Sequence, residues 1–200
     1  MDINTGTRDD EHVRSEELIR STLAGDNKAF DELVQLHQRF VFNLCYRLLG
    51  DYDEANDCAQ DVFVSVFRSL KNFRFESTFR TWLYRVTANT CKNRMRSLEY
   101  RIRSRRVRMD VENENGYKAT EIRDNRPSPA GELNSKELGR LIRAAINRLP
   151  ADQKLVVVLR DMEGRTYDEI MEITGLKQGT LKSKLSRARL RLRQALEGAI

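Results

Sequence analysis

The stretch from Gly164 to Arg191 constrains this chain most, because its apolar spacing allows little other than two short helices joined by a tight turn. Ile170 and Ile173 place apolar side chains on one face of the first helix, and Gly175 stands where a sharply turning chain needs a positive φ. In the second helix Leu181, Leu185, Ala188 and Leu192 recur at helical spacing and form one inward stripe. The opposite face carries Gly179, Ser183, Ser186 and Arg187, flanked by Lys182 and Lys184. Between Gly175 and Ala195 there are seven basic residues and no acid. Small polar and cationic groups on an outward helix face can reach base edges and phosphates in a major groove, so the pair reads as a DNA-reading helix-turn-helix. The plainer alternative is an amphipathic pair with a solvated basic face.

Two hundred residues allow one medium domain or two small ones. A net charge of +6 favours a polyanionic partner. Cys45, Cys58 and Cys91 are far apart and form no CxxC pair, so they read as buried thiols in a reducing, cytoplasmic setting rather than as ligands or a disulfide. No paired carboxylates, metal-ligand spacing or phosphate loop is visible, and neither a metal nor another cofactor nor catalysis is expected. The first twenty residues lack the apolar segment of a signal peptide, and no run reaches membrane-span length.

The pattern is helical throughout, which predicts an all-α chain of two small helical domains joined by a flexible linker. Residues 1–14 are polar and aperiodic and read as a disordered tail; the first domain is expected over 15–98, the linker over 99–133 and the second domain over 134–200. A long helix runs through Phe30 and Leu33 to Leu48, with His37 in its apolar stripe, and ends at Gly50. Asp53 can cap the next helix, whose inner face is Ala55, Cys58, Ala59, Val62, Phe63, Val66, Phe67 and Leu70. Asp51, Asp53, Glu54, Asp57 and Asp61 precede any Lys or Arg there; the macrodipole accounts for the first few but poorly for Asp57 and Asp61, beyond the first turn, and the patch reads as a docking face for a basic protein surface. The next helix begins near Thr78 and is rich in cations, with Phe73, Phe75, Trp82 and Tyr84 interleaved. That mixture suits stacking of unpaired bases over a charged backbone, or a core that happens to be aromatic. Leu138 to Leu149 form a further helix, Pro150 opens another in its first turn, and Lys154 to Arg160 continue it despite three consecutive valines.

Taken in order, Asp53 to Phe63 followed by Phe79 to Asn93 looks like region 2 of bacterial sigma factors, and Leu149 to Leu192 looks like their region 4. With no room for further regions, the chain is similar to the extracytoplasmic-function (ECF) group. The resemblance implies a transcription-initiation subunit that binds core RNA polymerase through its β′ clamp helices and β flap, reads promoter DNA, serves a stress- or envelope-related regulon and is held by an anti-sigma factor. It places Asp57, Gln60 and Asp61 on the polymerase. It assigns the minus-10 element to the loop Lys71, Asn72, Phe73, Arg74, Phe75, Glu76 and Ser77 and to the helix residues Arg80, Trp82, Arg85, Asn89 and Lys92. It assigns the minus-35 element to Thr180, Lys182, Ser183, Ser186 and Arg187. Phe75 stands where the family often has glycine and either captures a base or shapes the loop; Met171 stands where helix-turn-helix units usually have alanine. A stand-alone helix-turn-helix regulator would account for residues 134–200 but leave the acidic helix and the aromatic-basic segment unexplained.

Overall fold

The computed structural model describes residues 6–112 and 133–197, and among these every regular element is helical. Four α-helices form the first half: α1 (Gly6–Leu23), α2 (Asn27–Leu49), α3 (Tyr52–Ser69) and α4 (Phe79–Glu112), with a 3₁₀ turn at Leu70–Asn72. The second half contains α5 (Leu133–Asn147), α6 (Ala151–Val157), a π-helical turn at Val158–Met162, α7 (Tyr167–Thr174) and α8 (Gln178–Glu197).

Local chemistry sets most of the helix ends. Asp26 accepts from the backbone N–H of Lys28 at the start of α2. Asp51, rather than Asp53, caps α3 by accepting from the N–H of Glu54 at 2.9 Å. Asp53 and Glu54 then sit in the first turn, where negative charge meets the helix dipole. Thr166 and Glu169 form a reciprocal capping box on α7. Gly50 ends α2 in the left-handed conformation at φ 80°, and a Cβ there would also lie 2.2 Å from the side chain of Asn147. No other residue meets both demands. Pro150 is the N-cap of α6 rather than its first turn, with ψ of 143°.

Several features differ from expectation. Helix α1 begins at Gly6 and takes in most of the presumed tail, and α4 continues to Glu112, into the presumed linker. Opposed charge blocks suggest a linker by composition, yet they are also compatible with one long helix, which composition does not exclude. The remaining linker residues, Pro127 and Pro129 among them, lie outside the described residues. In α3 the expected inner face holds for Val62 and Val66, but Phe67 is 53% exposed and packs edge-on against Phe30 at 4.9 Å. A further difference is the π turn at Val158–Met162, which widens the helix at the end of the Lys154 to Arg160 run.

The buried apolar side chains of both halves form one continuous core. Leu33, Val41, Leu44, Leu48, Val62, Val66 and Leu83 fill the first half; Leu155, Val158, Ile170, Leu181 and Leu185 fill the second. Helix α4 lies between them, packing on α2 and α3 on one side and on α6 and α7 on the other.

Candidate nucleic-acid interface

The face of α3 away from the core is acidic and open. Asp57 and Asp61 have side chains 65% and 60% exposed, and Gln60 is exposed beside them. Reading α3 alone misses a cation. Arg94 arrives from α4, bonding Glu54 at 2.6 Å and lying 3.6 and 3.7 Å from Asp57 and Asp61. The Glu54 hydrogen bond and the surrounding acids raise the Arg94 pKa. With one guanidinium among Asp51, Asp53, Glu54, Asp57 and Asp61, the face remains negative.

After α3 the 3₁₀ turn presents Lys71 and Asn72 to solvent, and Arg74 and Glu76 are also exposed. The aromatics behave differently. Phe73 and Phe79 are buried, and Trp82 is half-buried against them at centroid distances of 5.5 and 5.7 Å. These three rings are mainly core in this conformation, and Phe73 offers no free face. Phe75 is half-buried at φ 58°, and no other non-glycine described residue has a positive φ. A side chain with a Cβ costs about 1–2 kcal/mol there, so the backbone itself would be less strained with glycine. Its ring lies 4.8 Å from that of Phe73, and the Arg20 guanidinium sits 4.7 Å above it. Ser77 is half-buried, and Thr78 accepts from the Thr81 N–H at 3.2 Å to start α4.

On α4, Arg80 bonds Glu11 at 2.8 Å and lies over Phe40 at 4.8 Å, while Asn89 is exposed. Arg85 and Lys92 point toward the second half of the chain. Arg85 donates to the Glu172 carbonyl at 3.2 Å, and Lys92 pairs with Asp152 at 3.1 Å. Asp152 also meets Arg96 at 3.2 Å and Lys184 at 3.0 Å. Burial raises its carboxyl, but Lys184 and Lys92 outweigh that and hold it below the ordinary value. Deeper in the same contact, Tyr84 donates to Glu163 at 3.0 Å beneath the Arg165 guanidinium, and Arg47 also bonds Glu163. Burial and the Glu163 charge push the Tyr84 hydroxyl up to about 12.

The helix-turn-helix has the expected geometry. Gly175 ends α7 at φ 69°, and Leu181, Leu185 and Ala188 are buried. Met171 is partly buried against the core at the crossing. Thr180, Lys182, Ser186 and Arg187 are exposed, while Ser183 is half-buried with its hydroxyl donating to the Thr180 carbonyl at 2.9 Å. Lys184 and Arg189 turn instead to Asp152 and Asp161. Among the described residues Lys177, Lys182 and Arg187 make no ion pair, so their charge faces solvent. They form a compact cationic surface at the N-terminal half of α8, suited to phosphates and base edges.

The cysteines are free and buried, as the sequence predicts, but they are not separate. Cys45, Cys58 and Cys91 come together, all their sulfurs within 4.8 Å of one another. No local signal announces this, since each sits singly on its own apolar stripe.

Comparisons with known proteins agree with this architecture. Residues 33–100 match the family model for Sigma-70 region 2, and residues 139–192 match that for Sigma-70, region 4. The chain is 36% identical over 179 residues to the ECF RNA polymerase sigma-E factor of Haemophilus influenzae, covering 90% of this chain and 93% of that protein. It is 32% identical over 184 residues to the RNA polymerase sigma-H factor of Pseudomonas aeruginosa, covering 92% and 94% respectively. The solved sigma factor RpoE of Bartonella quintana, in complex with the anti-sigma factor NepR, has TM-score 0.53 and 25% identity, covering 85% of this chain and 98% of that one.

Proposed function

Because the chain belongs to the ECF sigma factors of the sigma-70 family, we propose that it docks on core RNA polymerase through Asp57, Gln60 and Asp61 and directs it to promoters through two separate DNA surfaces. The reading rests on one observation above all: a solvent-open acidic face on α3 and an unpaired cationic face on α8 occur in one chain, with the basic helix α4 between them. A stand-alone regulator needs only the cationic face of α8.

In this reading Thr180, Lys182, Ser183, Ser186 and Arg187 contact the minus-35 element. Lys71, Asn72, Arg74, Phe75, Glu76 and Ser77 form the minus-10 loop, with Arg80, Trp82, Arg85, Asn89 and Lys92 along the melted strand; Phe73 supports the loop from the core. Arg85 and Lys92 are occupied by Glu172 and Asp152, so the two halves have to part before these cations reach phosphates. Part-exposed pairs of this kind are worth about 0–1 kcal/mol each, little against a polyanion. Bond-making chemistry belongs to the polymerase, and the chain supplies recognition and strand opening. It acts in the cytoplasm, where its promoters are; no helix of the described residues is long and apolar enough to cross a membrane. An anti-sigma factor is the expected regulator, in keeping with the complex in which the Bartonella relative was solved.

The test is reconstituted transcription. Purified chain added to core polymerase should give promoter-specific transcripts from genomic DNA of its host, with footprints over both upstream elements. Specific DNA binding with no affinity for core polymerase would replace this reading with a stand-alone regulator.

A further inference from the structure

The three cysteines of the chain, one each from α2, α3 and α4, converge in the core of the first half. All three are 0% exposed. The Cys91 sulfur lies 3.5 Å from that of Cys45 and 3.6 Å from that of Cys58. An ion bonded to three thiolates at about 2.3 Å holds its sulfurs about 4.0 Å apart if planar, and about 3.5 Å apart if its bonds fold into a pyramid with angles near 100°. Two of the three sulfur separations therefore already match ligand spacing, and the third is within 4.8 Å.

We propose that Cys45, Cys58 and Cys91 form a binding site for a soft, thiophilic ion that takes three sulfurs, and that trivalent arsenic is the form it fits best. Three features of the site select this class. The donors are all sulfur, which favours soft ions over hard ones. Among the described residues no histidine or carboxylate joins the group, so the fourth ligand of a closed zinc site is missing. The surroundings are apolar core, where net charge is costly. A monovalent or divalent ion on three thiolates leaves the site negative, and the nearby Arg94 is already committed to Glu54. A trivalent ion on three thiolates is neutral.

Loading is a ligand exchange with no change of oxidation state. Arsenous acid, As(OH)₃, loses three As–O bonds and gains three As–S bonds, and each thiol proton leaves on a departing hydroxide as water. The bound ion would cross-link α2, α3 and α4, and Cys58 directly follows Asp57 of the acidic face.

The experiment uses the reduced full-length chain under anaerobic conditions. Because the thiols are buried, the protein is refolded with sodium arsenite, and in parallel with zinc chloride, then passed through gel filtration. We expect one arsenic retained per chain, all three thiols protected from a thiol reagent added after denaturation, a raised Tm, and no retained zinc. Cys45→Ala, Cys58→Ala and Cys91→Ala should each weaken arsenic retention at least tenfold, with circular dichroism checking the fold. If a variant fails to fold, stoichiometry and thiol protection in the unsubstituted chain decide alone. Absence of retained arsenic, protection of fewer than three thiols, or preferential retention of zinc would each overturn the proposal.

Discussion

Phe75 allows backbone conformation and side-chain packing to be separated by comparing two substitutions. Its φ of 58° is in the left-handed region, so Phe75→Ala keeps the strain and loses the ring. The half-buried ring contributes about 1–1.5 kcal/mol by burial, its contact with Phe73 about 0.5–1.5, and its contact with Arg20 about 0.5–1. Phe75→Ala should therefore destabilise the chain by about 2–4 kcal/mol. Phe75→Gly loses the same contacts but relieves about 1–2 kcal/mol of left-handed strain, against about 0.5–1 kcal/mol of additional unfolded-chain entropy. Glycine should thus be the more stable of the two by about 0.5–1 kcal/mol. In urea this is a difference of roughly 0.3–0.5 M in midpoint for a slope of about 2 kcal/mol/M. An alanine variant as stable as the glycine variant would refute the argument from strain. Transcription on two templates then addresses the loop's role. If Phe75 shapes the loop for strand opening, Phe75→Ala should lose activity on duplex promoter and recover it on DNA already melted across the minus-10 region. Equal loss on both templates with the expected destabilisation would make Phe75 a core residue, whereas equal loss with unchanged stability would overturn the packing argument and assign the ring to base capture.

Four other outcomes can be checked. Asp57→Lys with Asp61→Lys should abolish core-polymerase binding in a pull-down while Tm moves little, since Arg94 retains Glu54; unchanged affinity would remove the docking role. Lys182→Ala and Arg187→Ala should weaken promoter binding, by about 1–3 kcal/mol of discrimination where a base is read, and uniformly with a shallower salt dependence where a phosphate is held; no change in either would exclude α8 as the reader. Asp152→Lys would set like charge against Lys92, Arg96 and Lys184, and should raise the radius of gyration in X-ray scattering with helix content intact; an unchanged radius would count against separable halves. Burial lowers the His37 pKa from 6.5 to about 4, with Glu11 opposing and Arg80 assisting, so the unfolded chain binds the extra proton first. The stability from neutral His37 is full above pH 6.5 and falls as pH drops toward 4, by at most about 3 kcal/mol. His37→Gln should flatten the urea midpoint over that window, and an unaltered slope would show that His37 does not titrate this way.

The helices were legible because their apolar stripes are governed by residues three or four positions apart, whereas the caps of α3 and α6 differed from the expected Asp53 and first-turn Pro150. The stripe of Leu181, Leu185 and Ala188 and the helix-ending Gly50 and Gly175 are local relations, and a sequence states them directly. The family resemblance was legible for the same reason, as ordered local motifs. Helix composition was a weaker guide at the ends of α1 and α4, where polar, charged runs fit helix and coil alike.

What only the tertiary structure decided are the meetings between helices. Arg94 among the acids of α3, Lys184 drawn from the reading face to Asp152, Phe73 buried where a stacking platform was conceivable, and Lys92 held by α6 each depend on how two helices cross. The three cysteines show this most plainly. Each follows its own helix's periodicity, which places it inside, but periodicity carries no information about depth or rotation against a neighbour. Burial was therefore written in the sequence, whereas the three-sulfur cluster exists only once α2, α3 and α4 have packed.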